Sequence, residues 1–221
     1  MPSPSESREV LQLVTGEAVA LSLEVLANTS GTFEARRAEL LVAVPSVIDY
    51  YADGSAALAA DFYEEQRELA GVSARFSAEP VVVDRTVKIR SAIAWAAAPL
   101  LVDPDDVVET SLRLSGIVQL ETARPFRDTI LTNSHNDPQS VGWRRITRGG
   151  CKLCRMLADR GAVYRKETAT FAAHPNCHCT AQPVYKTDVG EEASVMQYKA
   201  SRRSKTEAQR ADLRAYLDTY Y

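Results

Sequence analysis

Cysteine and histidine are scarce in this chain: among 221 residues there are four cysteines and three histidines, and all the cysteines and two of the histidines fall between Cys151 and Cys179. Thiol or imidazole chemistry is therefore confined to that window, apart from His135. Long apolar runs are missing as well. The most apolar stretch, Ile89 to Val102, is interrupted by Arg90 and Pro99 and falls short of the roughly 20 residues a bilayer crossing needs, so a soluble protein without a membrane partner is expected. An excess of basic charge is absent too: the formal net charge is −3, which argues against a surface built throughout for nucleic acid. The opening Met1-Pro-Ser-Pro-Ser-Glu has neither the basic start nor the apolar centre of a signal peptide, so the thiols are expected to meet a reducing compartment and stay open to metal. What is present is ordinary for a globular protein, with 45% hydrophobic and 25% charged residues, enough for one or two domains.

Cys151-Lys-Leu-Cys154 puts two thiols on one turn, where both can face a single ion. His174-Pro-Asn-Cys177 repeats the spacing, and Cys179 and His178 follow at once. Four soft or borderline ligands satisfy tetrahedral Zn²⁺, so the window supplies more donors than one ion requires. The expected order is Cys151, Cys154, His174, then Cys177 or Cys179, with His178 last; a tight turn after Pro175 would let Cys177 and Cys179 both reach the ion and leave His174 to support them. Two disulfides are the bland alternative, disfavoured by the missing secretory signal and by a chain long enough to fold without staples. A thioredoxin-like redox pair would leave the second cluster unexplained. A catalytic zinc needs an open position and a nearby acid or base. The deaminase pattern, His-x-Glu ahead of Cys-x-x-Cys, is not met, since His135 is followed by Asn136-Asp137. One closed, structural zinc ion is the leading expectation, with no catalytic residue.

Upstream, Glu6 to Ala27 carries Val10, Leu13, Val14, Ala18, Leu21 and Val25 at steps of three and four, a helical stripe, although the alternation Val19, Leu21, Leu23, Val25 would also suit a strand. Asn28-Thr-Ser-Gly31 breaks it. A second helix is expected over 32–51, with a kink at Pro45 and a stop at Asp53-Gly-Ser, and a third over 55–70, closed by Gly71. After a loop from Ser73 to Pro80, Val81 to Val83 reads as a brief strand or an approach to a helix over 84–98. Asp103-Pro-Asp-Asp106 predicts a helix start with Asp103 as N-cap and Pro104 in the first turn; Pro125 should break or bend that helix, and Asn133 to Pro138 reads as a polar connector. Val141 to Arg148 suits a strand, Arg155 to Asp159 a short helix ended by Gly161, and Ala162 to Tyr164, Thr170-Phe171 and Thr180 to Tyr185 short strands. The fold class is α+β, mostly α: a helical bundle over 1–136, a small zinc-stabilised α/β module over 137–186 and a polar, helical tail over 187–221. So small a module holds little core, and metal ligation is expected to contribute on the order of ten kcal/mol to its folding. The tail crowds Lys199, Arg202, Arg203, Lys205 and Arg210 ahead of Leu213, Tyr216, Leu217 and Tyr220: either a solvated helix packing its Leu/Tyr stripe, or a docking tail for an acidic partner or packaged DNA.

Gly142-Trp-Arg-Arg-Ile-Thr-Arg-Gly-Gly-Cys151-Lys-Leu-Cys154-Arg-Met-Leu-Ala-Asp-Arg-Gly161-Ala-Val-Tyr164, followed by Thr170-Phe-Ala-Ala-His174-Pro-Asn-Cys177-His-Cys179-Thr-Ala181, resembles the C-terminal region of Mu F-like minor head proteins of tailed bacteriophages, in the form found in phages of actinobacteria. A weaker likeness to the Ala-rich helix of that group covers Tyr51 to Arg67. Where the family commonly has Arg between the last two cysteines, this chain has His178, which keeps His178 among the candidate ligands. The resemblance implies a minor virion component inside the capsid, made in the host cytoplasm, associated with the portal protein and with major capsid or scaffold protein. It also implies help in head assembly and in DNA packaging or ejection, with non-specific DNA contact through the tail. Family members are sometimes labelled capsid maturation proteases. No Ser/His/Asp or Cys/His set stands outside the cluster here, so a non-enzymatic protein is expected; the alternative is a zinc-dependent enzyme, protease or deaminase-like hydrolase, with Asp159 or Glu167 as its acid or base.

Overall fold

The computed structural model describes residues 4–147, 151–161, 164, 171–189 and 206–221. It is mostly helical with one two-stranded antiparallel sheet. Helices α1 (Pro4–Asn28), α2 (Phe33–Leu69) and α5 (Val107–Asn136) pack on one another, α3 (Thr86–Ala96) and the single turn α4 (Pro99–Val102) close their side, and β1 (Ser140–Ile146) pairs with β2 (Thr180–Tyr185) across the face of α5. The short helix α6 (Lys152–Asp159) carries the first knuckle, and α7 (Lys186–Val189) and α8 (Glu207–Tyr220) complete the described chain.

The long helices override several local stop signals. Asp53-Gly54-Ser55 does not end a helix; α2 runs through it as one element of 37 residues. The reason is packing: Ala52, Ser55, Ala56 and Ala59 are buried, and the contacts of these small side chains outweigh the cost of about 1 kcal/mol for a mid-helix glycine. Pro45 also stays inside α2. It has no N–H to give the carbonyl of Leu41 one turn back, and Arg90 of α3 donates to that carbonyl instead at 2.7 Å. In the same way α5 passes Pro125 without ending and includes Asn133 to Asn136, so the connector shrinks to Asp137 to Gln139. The N-cap of α5 is Asp106, not Asp103: its carboxylate accepts from the Glu109 N–H at 3.1 Å, while Asp103 caps the turn before it through the Asp105 N–H at 2.9 Å. Val81 to Val83 joins no sheet among the described residues.

By length and composition α1 is apolar enough to cross a membrane over Glu6–Asn28, which corrects the expectation drawn from Ile89 to Val102. In this structure its buried Leu11, Ala18 and Leu26 pack on α2 and α5, and Leu13 is exposed.

Two apolar clusters fill the body. One joins α1 to α5 around Leu26, Leu40, Ile48, Ile93, Leu100 and Leu114. The other is shared between the helices and the sheet: Leu11, Phe62, Tyr63, Phe126 and Ile130 meet Trp143, Tyr164, Ala181 and Tyr185. Trp143 stacks on Tyr164 with centroids 4.4 Å apart and exchanges a backbone bridge with it. A polar knot pins the end of α5 beside this core, where fully buried Asp137 accepts from Tyr63 at 3.2 Å and from Arg67. Of the expected strands, Thr180 to Tyr185 is β2 and Tyr164 makes only the isolated bridge; Thr170 lies outside the described residues.

Candidate metal centre

The two knuckles are built by different local devices and converge. Cys151 is the N-cap residue of α6, and Cys154 sits in its first turn, where free N–H groups and the helix dipole favour thiolates. In the second knuckle a tight turn over His174 to Cys177 closes through the Cys177 N–H and the His174 carbonyl at 3.1 Å, with Asn176 in the left-handed region at φ 61°, which asparagine tolerates better than most residues.

The result is one cluster of five donors. Cys151, Cys154 and His174 lie mutually within 4.8 Å, and so do Cys154, Cys177 and Cys179. His174 Nε2 is 3.2 Å from Cys151 Sγ and 3.8 Å from Cys154 Sγ. Cys154 Sγ is 3.9 Å from Cys177 Sγ. A tetrahedral zinc with 2.3 Å bonds to sulphur and 2.0–2.1 Å bonds to nitrogen would separate two sulphurs by about 3.8 Å and a sulphur from a nitrogen by about 3.6 Å, which the contacts of Cys154 with His174 and Cys177 match. The two triads meet at Cys154, and to share one ion Cys177 must draw closer to Cys151 and His174, since these four do not all lie within 4.8 Å of one another. The four cysteines are free thiols. The turn after Pro175 is tight and both later cysteines reach the cluster, yet His174 is not displaced. Its Nδ1 lies 2.7 Å from the Pro175 carbonyl, an arrangement that fixes the proton on Nδ1 and turns the Nε2 lone pair to the thiols, as metal-ligating histidines require. His178 is exposed and joins neither group of donors.

The electrostatics of the cluster divide its thiols, lowering Cys151 and Cys177 and raising Cys154. The Cys177 thiol is held well below its ordinary value by hydrogen bonding from Cys154 and Cys179, against the opposing effect of burial. Cys154, the donor in that exchange, is pushed up by Cys177 and Cys179. Burial pushes Cys151 up, but the Cys154 N–H and the His174 ring outweigh it and the net displacement is downward. His174 is raised, first by the Pro175 carbonyl and then by Cys151 and Cys177.

Helix α5 supplies the bed on which the second knuckle rests, and sequence reasoning did not find it. Gly116, Gln119, Ala123 and Arg127 fall on one stripe at steps of three and four. At Gly116 a Cβ would meet Pro175 Cβ at 3.0 Å, so only hydrogen lets the turn come this close. Gln119 Nε2 donates to the Cys177 carbonyl at 2.9 Å. Buried Arg127 donates to the Cys177 carbonyl at 2.6 Å and the Cys179 carbonyl at 3.0 Å. From β1, buried Arg145 donates to the Ala172 carbonyl at 2.7 Å and reaches within 3.9 Å of Cys154 Sγ. Both guanidiniums lie over the Phe171 ring. No local signal marks the bed: Gln119 and Arg127 stand in a helix whose buried residues also include Thr110, Glu121, Thr122 and Thr129.

Of the carboxylates considered as an acid or base, Asp159 lines an open groove of about 660 Å³ between α6 and α8, together with Arg155, Asp218 and Tyr221; Glu167 lies outside the described residues. Helix α8 has no buried residue and touches α6 through Lys152 and Asp218 at 2.6 Å and through Arg155 and the Tyr221 carbonyl. Of the tail's basic residues Arg210 pairs with Glu207 at 3.6 Å; Lys199, Arg202, Arg203 and Lys205 lie outside the described residues.

Neither a curated protein nor a solved structure matches the chain. A family model does, that of the VG15 protein, over residues 5–211, a span that takes in the bundle, both knuckles and the start of α8. The match covers nearly the whole chain, and the chain therefore belongs to the VG15 protein family, a phage virion-associated family.

Proposed function

We propose that this chain is a structural, non-enzymatic minor head protein of a tailed phage, of the Mu F-like kind, which holds one zinc ion in a closed site and works inside the capsid at the portal vertex. The observation that carries the reading is the donor set itself. Only sulphur and imidazole donors make up the two triads that share Cys154, with no carboxylate in either; Cys154, Cys177 and Cys179 are each 3% exposed or less, while Cys151 and His174 lie at the surface. Zinc suits soft sulphur and imidazole donors, and a full set of four protein ligands leaves no position for a reacting water. The four are Cys151, Cys154, His174 and Cys177. Cys179 is the fifth donor; its Sγ lies 3.2 Å from Thr147 Oγ1.

On this reading the ion fastens the turn of His174 to Cys179 to helix α6, and the protein acts through its surfaces. Membership of a phage virion-associated family supports a role in head assembly and in DNA packaging or ejection. The partners would be portal protein, with major capsid or scaffold protein beside it, and packaged DNA touched non-specifically by the tail; the protein would pass through the host cytoplasm on its way into the head. The test is a reconstruction of the phage particle with the chain's position and copy number resolved. A few copies at the portal vertex inside the shell are expected; a chain absent from the particle, or spread over the outer lattice, would overturn the assignment.

A further inference from the structure

Arg127 and Arg145 are 2% and 3% exposed, and a buried guanidinium needs a counter-charge. Neither has a carboxylate within ion-pair distance among the described residues; their hydrogen bonds go to the carbonyls of Cys177, Cys179 and Ala172. One nitrogen of each, Arg127 Nη1 and Arg145 Nε, is buried without a hydrogen-bond partner. What lies beside them is the cysteine cluster: Arg145 comes within 3.9 Å of Cys154 Sγ, and Arg127 is bonded to the backbone carbonyls of both Cys177 and Cys179. Cysteine binds a metal as thiolate, and three thiolates around a dication leave one net negative charge; a fourth would leave two.

We infer that Arg127 and Arg145 are the counter-charges of an anionic metal–thiolate centre, so that α5 and β1 are joined to the two knuckles by the charge of the bound metal as well as by packing. The inference rests on the zinc reading above and deepens it: metal affinity is set partly by positioning residues that never touch the ion, one of them on a helix outside the knuckles.

The test uses the full chain and zinc alone, with Arg127→Gln and Arg127→Lys. Zinc affinity is read by competition with a chromogenic chelator, and thermal midpoints are taken on metal-loaded and metal-free protein. Arg127→Gln should weaken zinc binding about 10–100-fold, the range for groups that support ligands from behind, and Arg127→Lys should recover part of it. Arg127→Gln should lower the midpoint of the loaded protein while leaving that of the metal-free protein unchanged or raised. Equal falls in both forms with unchanged zinc affinity would reduce Arg127 to a packing residue and overturn the inference. A native chain that binds no zinc would overturn the zinc reading and this inference with it. A chain that binds zinc equally well with and without Arg127 would overturn this inference alone. If Arg127→Gln does not fold, Arg145→Gln is read by the same two outcomes.

Discussion

The helical body and the Cys/His unit bury their polar groups by opposite means. In the body, side chains of α1, α2 and α5 form continuous apolar seams, and backbone groups are satisfied within the helices, so a proline or glycine can be carried along once its neighbours pack. In the unit, the described secondary structure amounts to a two-stranded sheet and eight residues of helix, and the loop that carries three donors is held from outside by Gln119 and Arg127. A long helix tolerates a local fault because cooperativity spreads the cost. A loop without internal repetition depends on a few strong contacts, and there each contact matters more.

That contrast is most readily broken at Cys154, the one donor common to both groups of three. Cys154→Ala should abolish metal binding and remove the metal's contribution, on the order of ten kcal/mol in small structural sites, from the unit alone. Emission of Trp143, buried at 1% exposure, should shift to the red while the helical signal at 222 nm is largely kept; joint loss of both signals would mean that the two regions fold as one. Next in size is the polar knot at the end of α5. Asp137→Ala removes the buried carboxylate from Arg67, leaving it the Ala74 carbonyl and the more exposed Glu64 at 3.9 Å, and should cost about 3 kcal/mol in denaturant unfolding, the low end of the penalty for breaking a buried ion pair.

A third prediction concerns pH. Glu121 is pushed up by burial, but bidentate Arg85, at 2.6 and 3.0 Å, together with Arg124 holds it below the ordinary carboxylate value of 4.5. A carboxyl depressed in the folded state adds stability that is present above its unfolded value and lost as pH falls through the folded one. Native protein should therefore lose this contribution below about pH 4.5, while Glu121→Gln, weaker by about 1.5–3 kcal/mol near neutrality, should show the flatter acid limb. Asp128, raised by burial, titrates in the opposite sense, so the difference between the two proteins is the quantity to compare. The smallest effects come from two helix glycines. Gly54→Ala meets open space and should stabilise by about 0.5–1 kcal/mol. At Gly116 the same change drives a Cβ to 3.0 Å from Pro175, and the overlap should cancel that gain and lower metal affinity; a gain equal to that at Gly54 would show that the second knuckle does not rest on α5.

Much of this was legible in the residues, for identifiable reasons. Apolar spacing marked α1 and the flanks of α2, and two Cys/His pairs at the same interval marked the cluster, because metal ligation imposes its spacing on the sequence directly. Element ends were misread where local chemistry and tertiary packing disagreed: Asp53-Gly-Ser has the composition of a turn, yet Ala52, Ser55 and Ala56 are buried, and Asp103 was taken as the cap that Asp106 provides. The bed on α5 was not legible because Gln119 and Arg127 look like solvated helix positions until the loop they serve, more than fifty residues on, is seen against them. Arg145 lies in the strand expected over 141–148, and nothing local says that it turns inward to be buried.

The central claim is that a metal is held by thiolates and one imidazole in a closed site, and zinc-edge X-ray absorption on the purified full chain measures it most directly. One zinc per chain is expected, with three sulphurs near 2.3 Å, one nitrogen near 2.0–2.1 Å and no oxygen. A zinc shell containing oxygen, or a chain purified under reducing conditions that takes up no zinc at all, would contradict it.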